Sequence, residues 1–455
     1  MVTLQKARVL PSSRWSSFDG WNYNGMKERL QAALEQIDKS VLLDHAERII
    51  QQKLTMSKPF SAGQYWICFE MVAEDASLAI ARVRLPRHPD TPPSVNVEDE
   101  AYATRCEIAT MQFVGQRLPH ITVPCVYAYE APGSLLAENA GATYMLLEGF
   151  YGNTLRDVEF NICNLSSAVQ ECIITQWTKV QAELATLIYP QIGSISSLSL
   201  TGEPVIGRLA TAAAECFRDA GPFSTTAEYF GAVGQAAIDK FDADVDSSST
   251  SFLRIGASVF CDIVSESTLF KDIGTENLFP FNHMDLGTQN ILIDDDFNFL
   301  AIIDWEFAHT APWQVNHYPM PFPLLESDEA IRHILQDPSH CAYKNVLRRE
   351  FARGLYRQKF QSAERDLEKK GRPLTGSFAE ILDCSASRIY ACFTNLGRLP
   401  QADEGLVYEM VRLAFGWDAR EAEDYVHNVE RSVSTTATRS AKGYDKESIP
   451  HAHAV

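Results

Sequence analysis

The sequence predicts an α+β fold of two lobes, a small antiparallel sheet followed by a larger and mostly helical part. Three observations predict it. Segments with strand character crowd into residues 60–147. Helical periodicity dominates 150–430. One short apolar hairpin, with Asp and Asn at its ends, interrupts that helical part at 290–304. The 455 residues, 45% hydrophobic and 22% charged, can bury a sizeable core without disulfides or structural metals.

In chain order, residues 1–57 read as an N-terminal extension containing helix, because apolar residues recur near a 3.6-residue period from Lys27 to Leu54. Residues 58–149 read as the small lobe. Tyr65–Phe69 is aromatic and apolar, Leu78–Leu85 alternates, and Pro86, Pro89, Pro92 and Pro93 end the run. Glu100–Arg117 reads as a helix, then Val126–Tyr129 and Thr143–Leu147 as strands. Residues 150–430 form the helical lobe. Val169–Leu187 is one long helix, Gln191–Leu200 a small hairpin, and much of 208–272 and 325–429 helix. The polar stretch 431–455 reads as a disordered tail.

The net charge of −19 argues against a nucleic-acid partner and against an anionic membrane surface, since both need clustered Lys and Arg. It is compatible with a cationic substrate, although an acidic solvated surface is the simpler account. The ten cysteines occur singly and without a CxxC pair, which points to reduced thiols in a cytoplasmic protein. A mitochondrial location is the alternative, because the first 18 residues carry Lys6, Arg8 and Arg14 and no acid. No apolar stretch approaches the ~18 residues needed to span a bilayer.

The chemistry concentrates in 281–309. Asp285 and Asn290 lie five residues apart on a Gly-containing loop. Ile291-Leu292-Ile293 then starts a strand, Asp294–Asn298 supplies a turn, and Phe299–Ile303 returns to Asp304. Such a hairpin brings Asn290 and Asp304 to one mouth, where an amide oxygen and a carboxylate suit a single hard cation such as Mg²⁺. Phosphoryl transfer needs such a cation on the nucleotide and a carboxylate near the attacking hydroxyl.

His283-x-Asp285-x-x-x-x-Asn290 resembles the catalytic loop shared by protein kinases and aminoglycoside phosphotransferases. Ile303-Asp304-Trp305-Glu306 stands where protein kinases have Asp-Phe-Gly, and is similar to the phosphotransferase family, in particular its large fungal branch. The resemblance covers about residues 60–325, and more weakly to about 420. It implies a protein-kinase-like fold, ATP or GTP as donor, Mg²⁺, and a small-molecule hydroxyl as acceptor. It implies that Asp285 orients or deprotonates that hydroxyl, that Asn290 and Asp304 bind Mg²⁺, and that His283 braces the loop. Arg82 matches the basic residue that touches the nucleotide phosphates, with Arg84 the alternative, and Glu107 matches its helical partner. Tyr144–Gly149, including Glu148, matches the hinge whose backbone meets the adenine. The nucleotide loop falls at Ser61–Tyr65, where Ser61 and Gly63 could form a short phosphate nest despite the single glycine.

Two other readings remain open. An inactive, kinase-like binding protein fits the sparse loop and the Arg in place of Lys. A protein kinase fits less well, because Gly287 and Thr288 follow Asp285 and Pro312 comes soon after Asp304, leaving no long activation segment. The acidic clusters Asp242–Asp246 and Glu326–Glu329 could face a cationic acceptor.

Overall fold

A computed structural model describes residues 9–14, 25–243, 252–271, 277–319 and 322–443. Its first lobe is built on a five-stranded antiparallel sheet. The strands are β1 (Leu54–Ala62), β2 (Trp66–Ala73), β3 (Leu78–Arg84), β4 (Val126–Glu130) and β5 (Tyr144–Glu148), in the order β1-β2-β3-β5-β4. β2 is apolar on both faces apart from the buried Glu70, because both faces are covered. Pro59 sits in the edge strand β1, where the register shifts, and so removes no ladder hydrogen bond from the interior.

The expected boundary at 57 cuts through β1, and the preceding segment is not an appendage. Its stretch from Met26 forms two helices rather than one, Met26–Gln36 and Lys39–Ile50, because Asp38 breaks the run and caps the second through Ser40 N, 2.9 Å. Leu30, Ala33, Leu42 and Ala46 share one buried cluster with Phe69, Met71, Val83 and Tyr144 of the sheet. The strand expected to begin at about residue 60 begins at Leu54 and runs through Lys58 and Pro59.

The long helix Val97–Arg117 lies between β3 and β4. A reciprocal pair, Asn96 and Asp99, caps its start. Its buried side carries Cys106, Thr110 and Phe113 and, unusually for an acid, Glu107. The second lobe packs helices Ser167–Leu184 and Tyr343–Lys369 around Trp177, Trp305, Phe322, Tyr356 and Phe360. The same cluster takes in Trp66, Phe113 and Met145 of the first lobe, so one continuous core joins the two.

Two further differences from the sequence reading stand out. Residues 209–220 are turns rather than helix, closed by Leu209 N donating to the Ala220 carbonyl at 2.8 Å, with Leu209 buried in the second core. The terminal helix Ala419–Gly443 runs past 431, held on the core by Ala422 and Val426; residues 444–455 of the expected tail lie outside the described residues. Among the described residues, no helix is long and apolar enough to cross a membrane.

Candidate active site

The hairpin predicted at 290–304 forms. Ile291–Ile293 pairs with Phe299–Ile302 on one side and with Asn153–Thr154, just past the hinge, on the other. The Asp294 carboxylate closes the turn by accepting from Asp296 N and Asn298 N, both at 2.9 Å. At the open end, Ile303 N donates to the Asn290 carbonyl at 3.0 Å. Asn290 and Asp304 therefore stand side by side at the hairpin's feet.

The side chains there are already sorted by chemistry. Asn290 Nδ2 donates to the Asp285 carbonyl (2.8 Å) and carboxylate (2.9 Å), which turns its amide oxygen away from that contact. Gln289 Nε2 donates to the other Asp285 oxygen at 3.1 Å. Gly287 makes room for this, since a Cβ there would lie 2.3 Å from Gln289 Oε1. Burial raises the Asp285 pKa, Asp304's charge raises it further, and the two amides pull it back, leaving it at about 6. Two non-glycine residues, Met284 (φ 64°) and Asp304 (φ 65°), hold left-handed backbone in this loop. Such conformations cost roughly 1–3 kcal/mol each and persist where packing over-determines them.

Arg82 links the lobes. Its guanidinium donates to Glu107 and, at 2.7 Å, to Asp304, and lies 4.7 Å from the Trp66 ring centre. Burial works against its charge, but Glu107, Asp304 and Glu306 outweigh it and hold its pKa above the ordinary value. Arg84 instead faces Glu100 at 3.7 Å and packs on Tyr65. Asp304 and Asn290 together present two hard oxygen donors, the set that suits Mg²⁺ with several waters retained. Among the described residues no group of three or more His, Cys, Asp and Glu offers a softer, zinc-like site.

Three expected site residues, Ser61, Gly63 and Glu148, take other places, while His283 braces the loop from a buried position. Ser61 is a strand residue paired with Cys68. Gly63 N already donates to the Trp66 carbonyl at 2.8 Å, so Ser61 and Gly63 close a tight hairpin rather than forming an open nest. Glu148 accepts from Cys125 N at 3.2 Å and its own N–H donates to the Cys125 carbonyl, which makes the side chain a structural brace between β5 and the preceding loop. His283 is wholly buried; Nε2 donates to the Ile303 carbonyl at 3.0 Å and the ring packs 4.5 Å from Trp305. It positions the loop and the Asp304 strand, and touches no space a substrate could enter.

Asp285 opens onto a cavity of about 930 Å³ in the helical lobe, lined also by Tyr229, Tyr318, Tyr390 and Phe393. Arg82, Glu107, Asn290 and Asp304 do not line it, so Asp285 stands between the cavity and the Arg82–Glu107–Asp304 cluster. The acidic cluster at 326–329 lies away from this cavity: Asp328 pairs with Arg388, and Glu329 with Arg412 at 3.1 Å. Asp242 pairs with Arg254 at 2.7 Å, and 244–246 lie outside the described residues.

No protein-family model matches the chain, and no curated protein matches it in sequence. Solved structures do show likeness. A fructosamine-3-kinase candidate from Thermobifida fusca YX-ER1 aligns over 82% of this chain and 98% of its own, at 13% identity and a TM-score of 0.41. A thermostable mutant of the aminoglycoside phosphotransferase APH(4)-Ia aligns over 86% and 98%, at 13% identity and 0.39. The macrolide 2'-phosphotransferase MphH from Brachybacterium faecium aligns over 85% and 97%, at 15% identity and 0.36.

Several residues of the site escaped the sequence reading. Gln289 carried a signal, its place inside the His283–Asn290 motif, but nothing local says that it grips Asp285. Glu306 was visible in the motif without a role. Here it is an acid whose pKa burial raises, with Asp304 and Glu107 adding to the rise. His309, on the cavity wall, is buried and neutral, its pKa lowered by burial to about 4, as is that of His283. A His whose folded pKa is depressed stabilises above its unfolded pKa and loses that contribution as pH falls towards the folded value. Each should cost roughly 2 kcal/mol of stability by pH 5. Guanidinium unfolding at pH 7 and pH 5 should therefore show a smaller pH difference for His309→Gln than for the wild type. Identical differences would mean that His309 titrates normally in the folded state.

Proposed function

We propose that this chain is a small-molecule kinase that transfers the γ-phosphoryl of ATP to a hydroxyl, in the manner of the aminoglycoside phosphotransferases and their fungal branch. One observation carries the reading. Asp285 is held by Asn290 and Gln289 at the border between a cavity and the Arg82–Glu107–Asp304 cluster. A hydroxyl bound in the cavity would donate to the Asp285 carboxylate and pass it the proton as the oxygen attacks. Arg82, held by Glu107, would meet the phosphates with its remaining donors. A magnesium ion held by Asn290 and Asp304 would offset charge on the phosphoryl group.

A small acceptor is favoured over a protein because the cavity is walled by Leu209–Lys240 and Tyr390–Arg398. Between Asp304 and Pro312 there is only the turn Trp305–Phe307 and the two-residue strand His309–Thr310, where no peptide platform fits. The occupied amide of Gly63 and the Arg82–Asp304 ion pair favour the inactive reading. The intact Asp285, Asn290 and Asp304 set outweighs them, since each has a distinct role to fill.

Asp304→Ala tests the proposal. It removes one of the two metal oxygens, so calorimetry with Mg-ATP should show binding weakened roughly 100-fold or more. Wild-type affinity in this variant would rule out the nucleotide site. GTP in the same titration decides between the donors.

A further inference from the structure

The cavity beside Asp285 is basic in an acidic protein. The whole chain has 40 Lys and Arg against 59 Asp and Glu. The cavity lining has four bases, Arg156, Lys240, Arg353 and Arg398, against two acids, Glu215 and Asp285. Lys240 and Glu215 neutralise each other at 3.1 Å. Three guanidinium groups remain, from three separate elements: the short helix Leu155–Val158 after the hinge, the helix Tyr343–Lys369, and the turn after the helix Ser385–Asn395.

Their pairing is incomplete. Among the described residues no carboxylate lies within 4.0 Å of Arg156 or Arg398. Among the described residues the one carboxylate within 4.0 Å of Arg353 is that of the half-exposed Glu350, at 3.0 Å from one terminal nitrogen. Arg353 Nε is buried without a hydrogen-bond partner, and its guanidinium lies 4.0 Å from the Tyr318 ring centre. A buried donor without a partner carries a desolvation cost that a ligand acceptor atom would recover. A planar guanidinium fixed on an aromatic ring is pre-organised to grip a carboxylate or phosphate. Tyr229, Tyr390, Phe393 and Phe217 add aromatic surface to the same lining.

We propose that the acceptor is an anion: a hydroxyl compound with an aromatic or otherwise apolar body and a carboxylate or phosphate-like group that Arg353 and Arg398 hold, so that the hydroxyl reaches Asp285. This rests on the kinase reading and reverses the expectation of a cationic substrate. Attraction to these bases selects anions, and the ammonium analogue meets like charges.

A matched set of bicyclic probes tests it: 6-hydroxy-2-naphthoate, its carboxamide and its aminomethyl counterpart. Binding is followed by naphthol fluorescence without nucleotide, so the result does not depend on whether phosphoryl transfer occurs. The carboxylate should bind at least ten-fold more tightly than the amine. Arg353→Gln and Arg398→Gln should each weaken carboxylate binding about ten-fold and leave the carboxamide within two-fold. Exposed Arg398 keeps the test valid if Arg353→Gln fails to fold. Equal or reversed preference, no carboxylate binding at 10 mM, or an equal loss for the carboxamide would overturn the proposal. Failure of Mg-ATP to bind the same preparation overturns the kinase reading separately.

Discussion

Asp285→Asn is expected to lower turnover by ~10²–10⁴-fold, the usual worth of a positioned acid–base group. The substitution removes the proton acceptor while keeping the shape of the side chain. It also replaces one oxygen that receives Gln289 or Asn290 by an amide that cannot accept. Single-turnover kinetics would separate this loss of chemistry from a loss of binding. The wild type adds a second reading. Asp285 is raised to about 6 by burial, then by Asp304's charge, and in the proposed role it can take a proton only when ionised. The rate should therefore climb as pH rises through about 6 and level off above it, and the Asn variant should lose that inflection. Undiminished turnover in the variant would remove Asp285 from the mechanism.

Arg82→Met should destabilise the protein by about 3–5 kcal/mol, because it leaves Glu107 buried without its counter-charge. Glu107 is only 1% exposed, and Asp304 loses its partner at the same time. If the cost is that of a stranded charge, adding Glu107→Gln should recover a large part of it. Denaturant unfolding of the two single variants and the double variant gives the coupling directly. A cost for Arg82→Met below about 1 kcal/mol, or no recovery in the double variant, would show that the pair is not held as ions. Apart from stability, Arg82→Met should weaken Mg-ATP binding, since the same guanidinium is the donor proposed to face the phosphates.

Local patterns carried much of the architecture. The apolar triplet Ile291–Ile293, the Asp294–Asn298 turn and the return through Phe299–Ile302 define a hairpin by alternation and turn chemistry, which a single stretch of sequence contains. The strand segments of the first lobe and the helix at Glu100–Arg117 were legible for the same reason, with the helix starting three residues earlier at Val97, where Asn96 and Asp99 close the cap. Boundaries were less legible where a strand contained Lys58 and Pro59, or where the alanines of 210–214 suggested helix while Leu209 and Phe217 were drawn into the core by packing.

What the linear pattern could not carry is any relation between distant residues. Arg82 and Asp304 are 222 positions apart, and their contact exists because β3 and the hairpin meet across a shared core. The left-handed backbone at Met284 has no signature in residue type, and that at Asp304 only the mild tolerance of Asp for this region, so both are imposed by the packing around them. The cavity gathers Arg156, Tyr229, Arg353 and Arg398 from four separate elements, so its basic character is hidden beneath a net charge of −19. Periodicity and turn chemistry are short-range properties that the chain states locally. Burial, ion pairing and the charge of a cavity are sums over neighbours that only folding brings together.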